Sequence, residues 1–153
     1  MANNDLEIHS SYLLTKEKSP IKSLFTGRLL NDLVPGNFVF YLIEIDTAPE
    51  DATRAKKVIV DTLEKNFQNN ELFNQTYLEN SLENINNSLE LIARSGEKQW
   101  IGNLNAVIGI IENDTLHLAS TGKISGYLIR KGKLSSLTDN SNISPIPQKT
   151  FID

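Results

Sequence analysis

Apolar residues in this chain recur with two different periods, and the places where the period changes mark its elements. Phe38-Val39-Phe40-Tyr41-Leu42-Ile43 is a short continuous apolar run, rich in aromatic and β-branched residues and bounded by Pro35-Gly36. It predicts a strand from Asn37 to Ile45 that is covered on both faces and therefore central in its sheet. An earlier strand is predicted from Leu6 to Leu14. Thr47-Ala48-Pro49-Glu50 has the form of a capping box, in which Thr47 accepts from the Glu50 amide while Glu50 reaches back, and Pro49 is tolerated in the first turn. A helix is predicted to follow, from Ala48 to Gln68, with Ala52, Ala55, Ile59, Leu63 and Phe67 on one stripe at steps of three and four.

Asn69-Asn70 breaks that stripe, and a second one, Leu78, Leu82, Ile85, Leu89 and Ile92, predicts a helix from Glu71 to Arg94. It should end near Ser95-Gly96, where glycine is a favoured left-handed cap. The alternating steps also fit a coiled-coil seam, but at this length a helix paired with its neighbour on a sheet is the better reading. After Trp100, which is expected to anchor the helix pair to the sheet, the period becomes that of strands. Two hairpins are predicted: 106–112 with 115–120 about Asn113-Asp114, and 126–130 with 133–137 about Lys131-Gly132. The order is ββααββββ, an α+β chain with two packed antiparallel sheets and an antiparallel helix pair on an outer face. Residues 1–139 read as one domain and 140–153, with Pro145 and Pro147, as a loop or tail.

Composition narrows the chemistry. A chain of 153 residues is long enough for one core, burying about 68–70% of the surface that its extended form exposes. With no cysteine there is no disulfide, thiol nucleophile or thiolate site, and two separate histidines, His9 and His117, do not make a zinc centre, so any metal site would be oxygen-rich. A net charge of −4 and a pI near 5.2 give no general drive toward nucleic acid or anionic membrane. The basic clusters at Arg54, Lys56 and Lys57 and at Arg130, Lys131 and Lys133 read as solvated surface. No signal-peptide pattern or bilayer-length apolar run is seen, which predicts a cytoplasmic protein. Asn-Xaa-Ser/Thr triplets at Asn74, Asn86, Asn113 and Asn142 follow from an asparagine-rich composition. Ser120-Thr121-Gly122-Lys123 lacks the earlier glycine and the following Ser/Thr of a P-loop, and no G-x-S-x-G elbow occurs.

Residues 99–138 carry the most informative motif. Gly102, Ala119, Gly122, Tyr127-Leu128, Arg130, Gly132, Leu137 and Thr138 stand in the order and spacing of the central hairpin of the PPM-type (type 2C) metal-dependent serine/threonine phosphatases, which this stretch resembles. The resemblance implies a sandwich of two antiparallel sheets flanked by helix pairs, of which this chain covers the first half to two-thirds. It also implies a centre where aspartates hold two divalent cations that activate a bridging water. Here the chain departs from the family. Lys123-Ile124-Ser125 replaces the aspartate, serine and arginine after Gly122, and Glu44-Ile45-Asp46-Thr47-Ala48 stands where the family has its aspartate and glycines. Asn31-Asp32 is the counterpart of an upstream acidic pair.

The positions left of the family's site are thus Asp32, Glu44, Asp46, Gly122 and Lys123, with no residue assigned as catalytic and none as a metal ligand. Plainer roles are also open: Asp32 as a turn residue before Val34-Pro35-Gly36, and Asp46 placed for a helix dipole. Lys123 is expected to pair with Glu44 or Asp46, its ammonium replacing the lost cation. Three readings remain open. The first is a degenerate, cofactor-free phosphatase-like module that binds or regulates a protein partner. The second is an active phosphatase using Mg²⁺ or Mn²⁺ through unusual ligands or a further C-terminal segment. The third is a structural module that forms a homodimer through the Leu78 to Ile92 seam.

Overall fold

The computed structural model describes residues 22–30, 37–68, 74–112 and 115–138. They form strands β1 (Lys22–Leu30) and β2 (Phe38–Asp46), helices α1 (Pro49–Gln68) and α2 (Gln75–Arg94), and strands β3 (Leu104–Glu112), β4 (Thr115–Thr121), β5 (Tyr127–Arg130) and β6 (Lys133–Ser136). Strands β1 to β4 make an antiparallel sheet in sequence order, and β5 with β6 makes a second, two-stranded one. The class is α+β, as the periodicities predict, and β2 lies inside its sheet between β1 and β3. The predicted strand over 6–14 lies outside the described residues. The first described strand is β1, which the apolar pattern did not single out because only alternate positions, Phe25 and Leu29 among them, turn toward the core.

Side chains alternate across each strand, and the register puts Ile43 beside Ala106, Tyr41 beside Ile108 and Val39 beside Ile110 on one face. Both helices cover that face, with α1 over β1 and β2 and α2 over β4. Ile59 and Leu63 of α1 and Ile85 and Leu89 of α2 meet Val39, Ile43, Ile45, Ile108 and Ile110, all of them at most 1% exposed. Leu82 is partly buried against this cluster, and Trp100 is fully part of it, with its indole N–H donating to the Glu97 carbonyl.

The two helices run antiparallel. The Tyr77 hydroxyl at the start of α2 reaches the Leu63 carbonyl near the end of α1, and Arg54 at the start of α1 pairs with Glu97 beyond α2. Ser81 is fully buried between them, a small side chain that lets the axes approach while it accepts from Asn66. The Arg54 pair is largely exposed and contributes at most about 1 kcal/mol, so packing rather than charge joins the helices.

Helix boundaries follow local chemistry, with two corrections. The first bond of α1 runs from the Ala52 amide to the Ala48 carbonyl, so the cap is Ala48 and Pro49 is the first helical residue. The Thr47–Glu50 box therefore stands one residue out of phase. Helix α2 begins at Gln75 and not at Glu71; the side chain of Asn74 caps it by accepting from the Tyr77 amide at 3.0 Å. At the other end Gly96, with φ of 105°, and Glu97 donate to the carbonyls of Ala93 and Ile92, which is the Schellman pairing expected of a glycine stop. The β5–β6 turn is also as predicted, with φ of 52° at Lys131 and 73° at Gly132. Among the described residues no helix is long and apolar enough to cross a membrane.

Two expectations follow from this packing. Ile85→Ala leaves a cavity under both helices and should lower stability by about 2–5 kcal/mol in urea unfolding, whereas a change near zero would mean that the seam does not face this core. Burial raises the Tyr77 phenol above its ordinary pKa, with the Ser81 hydrogen bond opposing in part. The unfolded chain then loses its Tyr77 proton first, so this contribution is intact below about pH 10 and is lost as the pH climbs through the folded value. Tyr77→Phe should flatten the alkaline limb of the stability profile, and an unchanged limb would show that Tyr77 is not its source.

Candidate functional site at one end of the sheet

Strand β2 ends at Asp46, β3 starts at Leu104 and β4 ends at Thr121, so the antiparallel register gathers these three termini at one edge of the molecule. Glu44 lies opposite Asn105 of β3 and Leu24 of β1. Glu44 and Asp46 are two apart on one strand and so face the side of the sheet away from the helices. The turn after β4 places Gly122 and Lys123 against the same region. The structure thus brings together four of the five positions picked out from sequence; the fifth, Asp32, lies outside the described residues.

One side chain links them. Asn105 donates through Nδ2 to Glu44 Oε1 at 3.0 Å, and its Oδ1 accepts from the main-chain N–H of Lys123 at 2.7 Å. Both ends of a single amide are used, on partners from β2 and from the turn after β4. Gly122 makes that turn possible in two ways. Its φ of 76° is costly for any residue with a Cβ, and a Cβ built there would overlap the Asn105 side-chain oxygen. Asp46 is held through its backbone, its N–H donating to the Asn103 carbonyl at 3.0 Å.

The expected Lys123 ion pair is replaced by a different contact. Lys123 does arrive beside Glu44, but the contribution of the residue is its backbone amide, while its side chain is exposed and, among the described residues, pairs with neither Glu44 nor Asp46. The physical reason is geometric: the left-handed Gly122 aims the next N–H at Asn105, and the long ammonium side chain keeps its hydration instead of being drawn toward a half-buried carboxylate. Asn105 itself was not legible as a site residue. Its only sequence signal is an amide side chain between Leu104 and Ala106 at the opening of an apolar strand.

Chemically, this edge offers two carboxylates, one of them already accepting a hydrogen bond. A hard cation such as Mg²⁺ takes near-octahedral oxygen coordination; Glu44 and Asp46 are the residues here that would contribute to it, and no group of three or more carboxylates and imidazoles converges among the described residues. His117, the histidine within them, sits elsewhere, on β4, with Nε2 4.0 Å from Oε2 of Glu112.

The link through Asn105 predicts an unequal response to mutation. Asn105→Ala leaves the Lys123 N–H without its acceptor and Glu44 without this donor, and should cost about 1–3 kcal/mol in urea unfolding. Lys123→Met keeps the backbone bond and should change stability by less than about 0.5 kcal/mol. The reverse order would mean that the ammonium, and not the amide, holds this edge together.

No protein-family model, curated protein or solved structure matches this chain, so its own residues and geometry carry what can be said of its chemistry.

Proposed function

We propose that this chain is a catalytically degenerate phosphatase-like domain of the PPM type, acting as a binding or regulatory module for a protein partner. The observation that carries the reading is the cross-link at the sheet end. Where the family resemblance implies cations held by aspartates, Glu44 is tied to Asn105, and Asn105 to the backbone that follows Gly122. A neutral amide there does the joining that a metal would otherwise do between neighbouring strand ends. The replacement of an acidic position by Lys123 supports the same reading, since its charge repels a divalent cation approaching this edge.

On this reading the domain neither needs nor holds a divalent cation, and catalysis is not its contribution. Calorimetric titration with Mn²⁺ and with Mg²⁺ should give no saturable heat, and incubation of the protein with a phosphoserine peptide and Mn²⁺ should release no phosphate. Saturable divalent binding accompanied by phosphate release would replace this reading with that of an active metal-dependent phosphatase.

A further inference from the structure

The β5–β6 ribbon is built unlike the rest of the molecule. Its pairing sets Ile129 opposite Leu134, and Tyr127 lies two residues from Ile129 and hence on the same face. These three side chains are 58%, 75% and 65% exposed for Tyr127, Ile129 and Leu134, respectively, the most open run of large apolar groups among the described strands. An isolated two-stranded ribbon is marginal in water because one apolar face has nothing to cover it. Its two ends are tied to each other at the base, where the Leu137 amide donates to the Gly126 carbonyl and the Gly126 amide donates to Thr138 Oγ1, and among the described residues Gly126 lies close to Leu118 of β4. Among the described residues no strand pairs with the outer edge of β5 or of β6.

Charge identifies what fits there. Residues 115–138 contain Lys123, Arg130, Lys131 and Lys133 and no aspartate or glutamate, in a chain whose net charge is −4. Lys123, Lys131 and Lys133 are exposed. We propose that the β5–β6 ribbon is a docking edge for an extended segment of another protein in which apolar residues alternate with Asp or Glu. Such a strand pairs its main chain with a free edge of the ribbon, lays its apolar side chains over Tyr127, Ile129 and Leu134, and sets its carboxylates against the lysines around the turn.

The other occupants fit less well. A second copy pairing ribbon to ribbon about a two-fold axis would bring two basic segments together with no acid between them. A nucleic acid or an anionic lipid surface would meet the lysines, but it offers no alternating donors and acceptors to a strand edge, and the net negative chain opposes its approach. The inference goes beyond the reading of the sheet end and does not depend on whether that end binds a metal.

The test is selection of peptides from a random displayed library on the purified full chain, followed by fluorescence anisotropy of the enriched peptides as synthetic probes. Enriched peptides should alternate apolar residues with Asp or Glu. Their affinity should fall at least about tenfold for Ile129→Ser combined with Leu134→Ser, and similarly for Lys131→Glu combined with Lys133→Glu. Both variants change exposed ribbon residues, and matching circular dichroism and melting curves would confirm that they fold. The proposal is overturned if enrichment shows no acidic bias, or if the selected peptides bind the folded variants as tightly as the wild type. It is equally overturned if sedimentation shows a dimer that the serine pair dissolves, or if anionic vesicles or single-stranded oligonucleotides bind through the ribbon more tightly than the peptides do.

Discussion

Ile43, Ile45, Ile108 and Ile110 lie beneath Ile59, Leu63, Ile85 and Leu89 with almost none of their surface in contact with water, and that burial is what the other features of the molecule depend on. Each such side chain contributes about 1.5–3 kcal/mol on leaving water. The gain requires β2 and β3 to keep one register, because a slip by one residue would turn their isoleucines to the opposite face. A fixed register is in turn what sets Glu44 opposite Asn105 and Ala106 opposite Thr121. The polar link at the sheet end is therefore a consequence of aliphatic packing some distance away.

The helices cover one face of the sheet. On the opposite face Phe38 and Val107 are buried, while Leu24, Leu30 and Leu116 keep more than a third of their surface open. Phe40 lies over Gly109 of the neighbouring strand, where any Cβ would collide with its ring. The helix-covered face has a matching pair, Tyr41 over Gly27 of β1, set among its isoleucines. The ribbon departs from the side of the molecule opposite the helices, beginning at Gly126 close to Leu118, so its exposed apolar groups continue a region that the helices do not reach.

Glu44 illustrates how a half-buried carboxylate is tied into the sheet by a neutral amide. Its bond to Asn105 joins β2 to β3, and the bond from the Lys123 amide to the same side chain brings in the turn after β4. Three segments are thereby connected through one amide that can donate and accept at once, which neither a lysine nor a carboxylate can do. For a domain proposed to bind rather than to catalyse, a sheet end closed by hydrogen bonds is a structural asset. It leaves recognition to surfaces elsewhere.

Much of this architecture was legible in the order of residues alone. The stripes Ala52 to Phe67 and Leu78 to Ile92 specify helices because a period near 3.6 puts them on one side of each, and Gly96 and Lys131-Gly132 specify a stop and a turn because their backbones take up positive φ. The run from Phe38 to Ile43 specified an interior strand because both of its faces are apolar. Other features depended on partners distant in sequence. Strand β1 has a mixed pattern, with Gly27 and Arg28 at its middle, and becomes a strand by pairing with β2. Asn74 acts as a cap only where the chain begins α2, and neither Asn105 nor the Lys123 amide has a function until β2, β3 and β4 are aligned. Sequence periodicity records which face each residue prefers, a local property of helix and strand geometry. Which hydrogen-bonding groups then meet across that face is decided by register and turn direction, and those are set only when the tertiary structure forms.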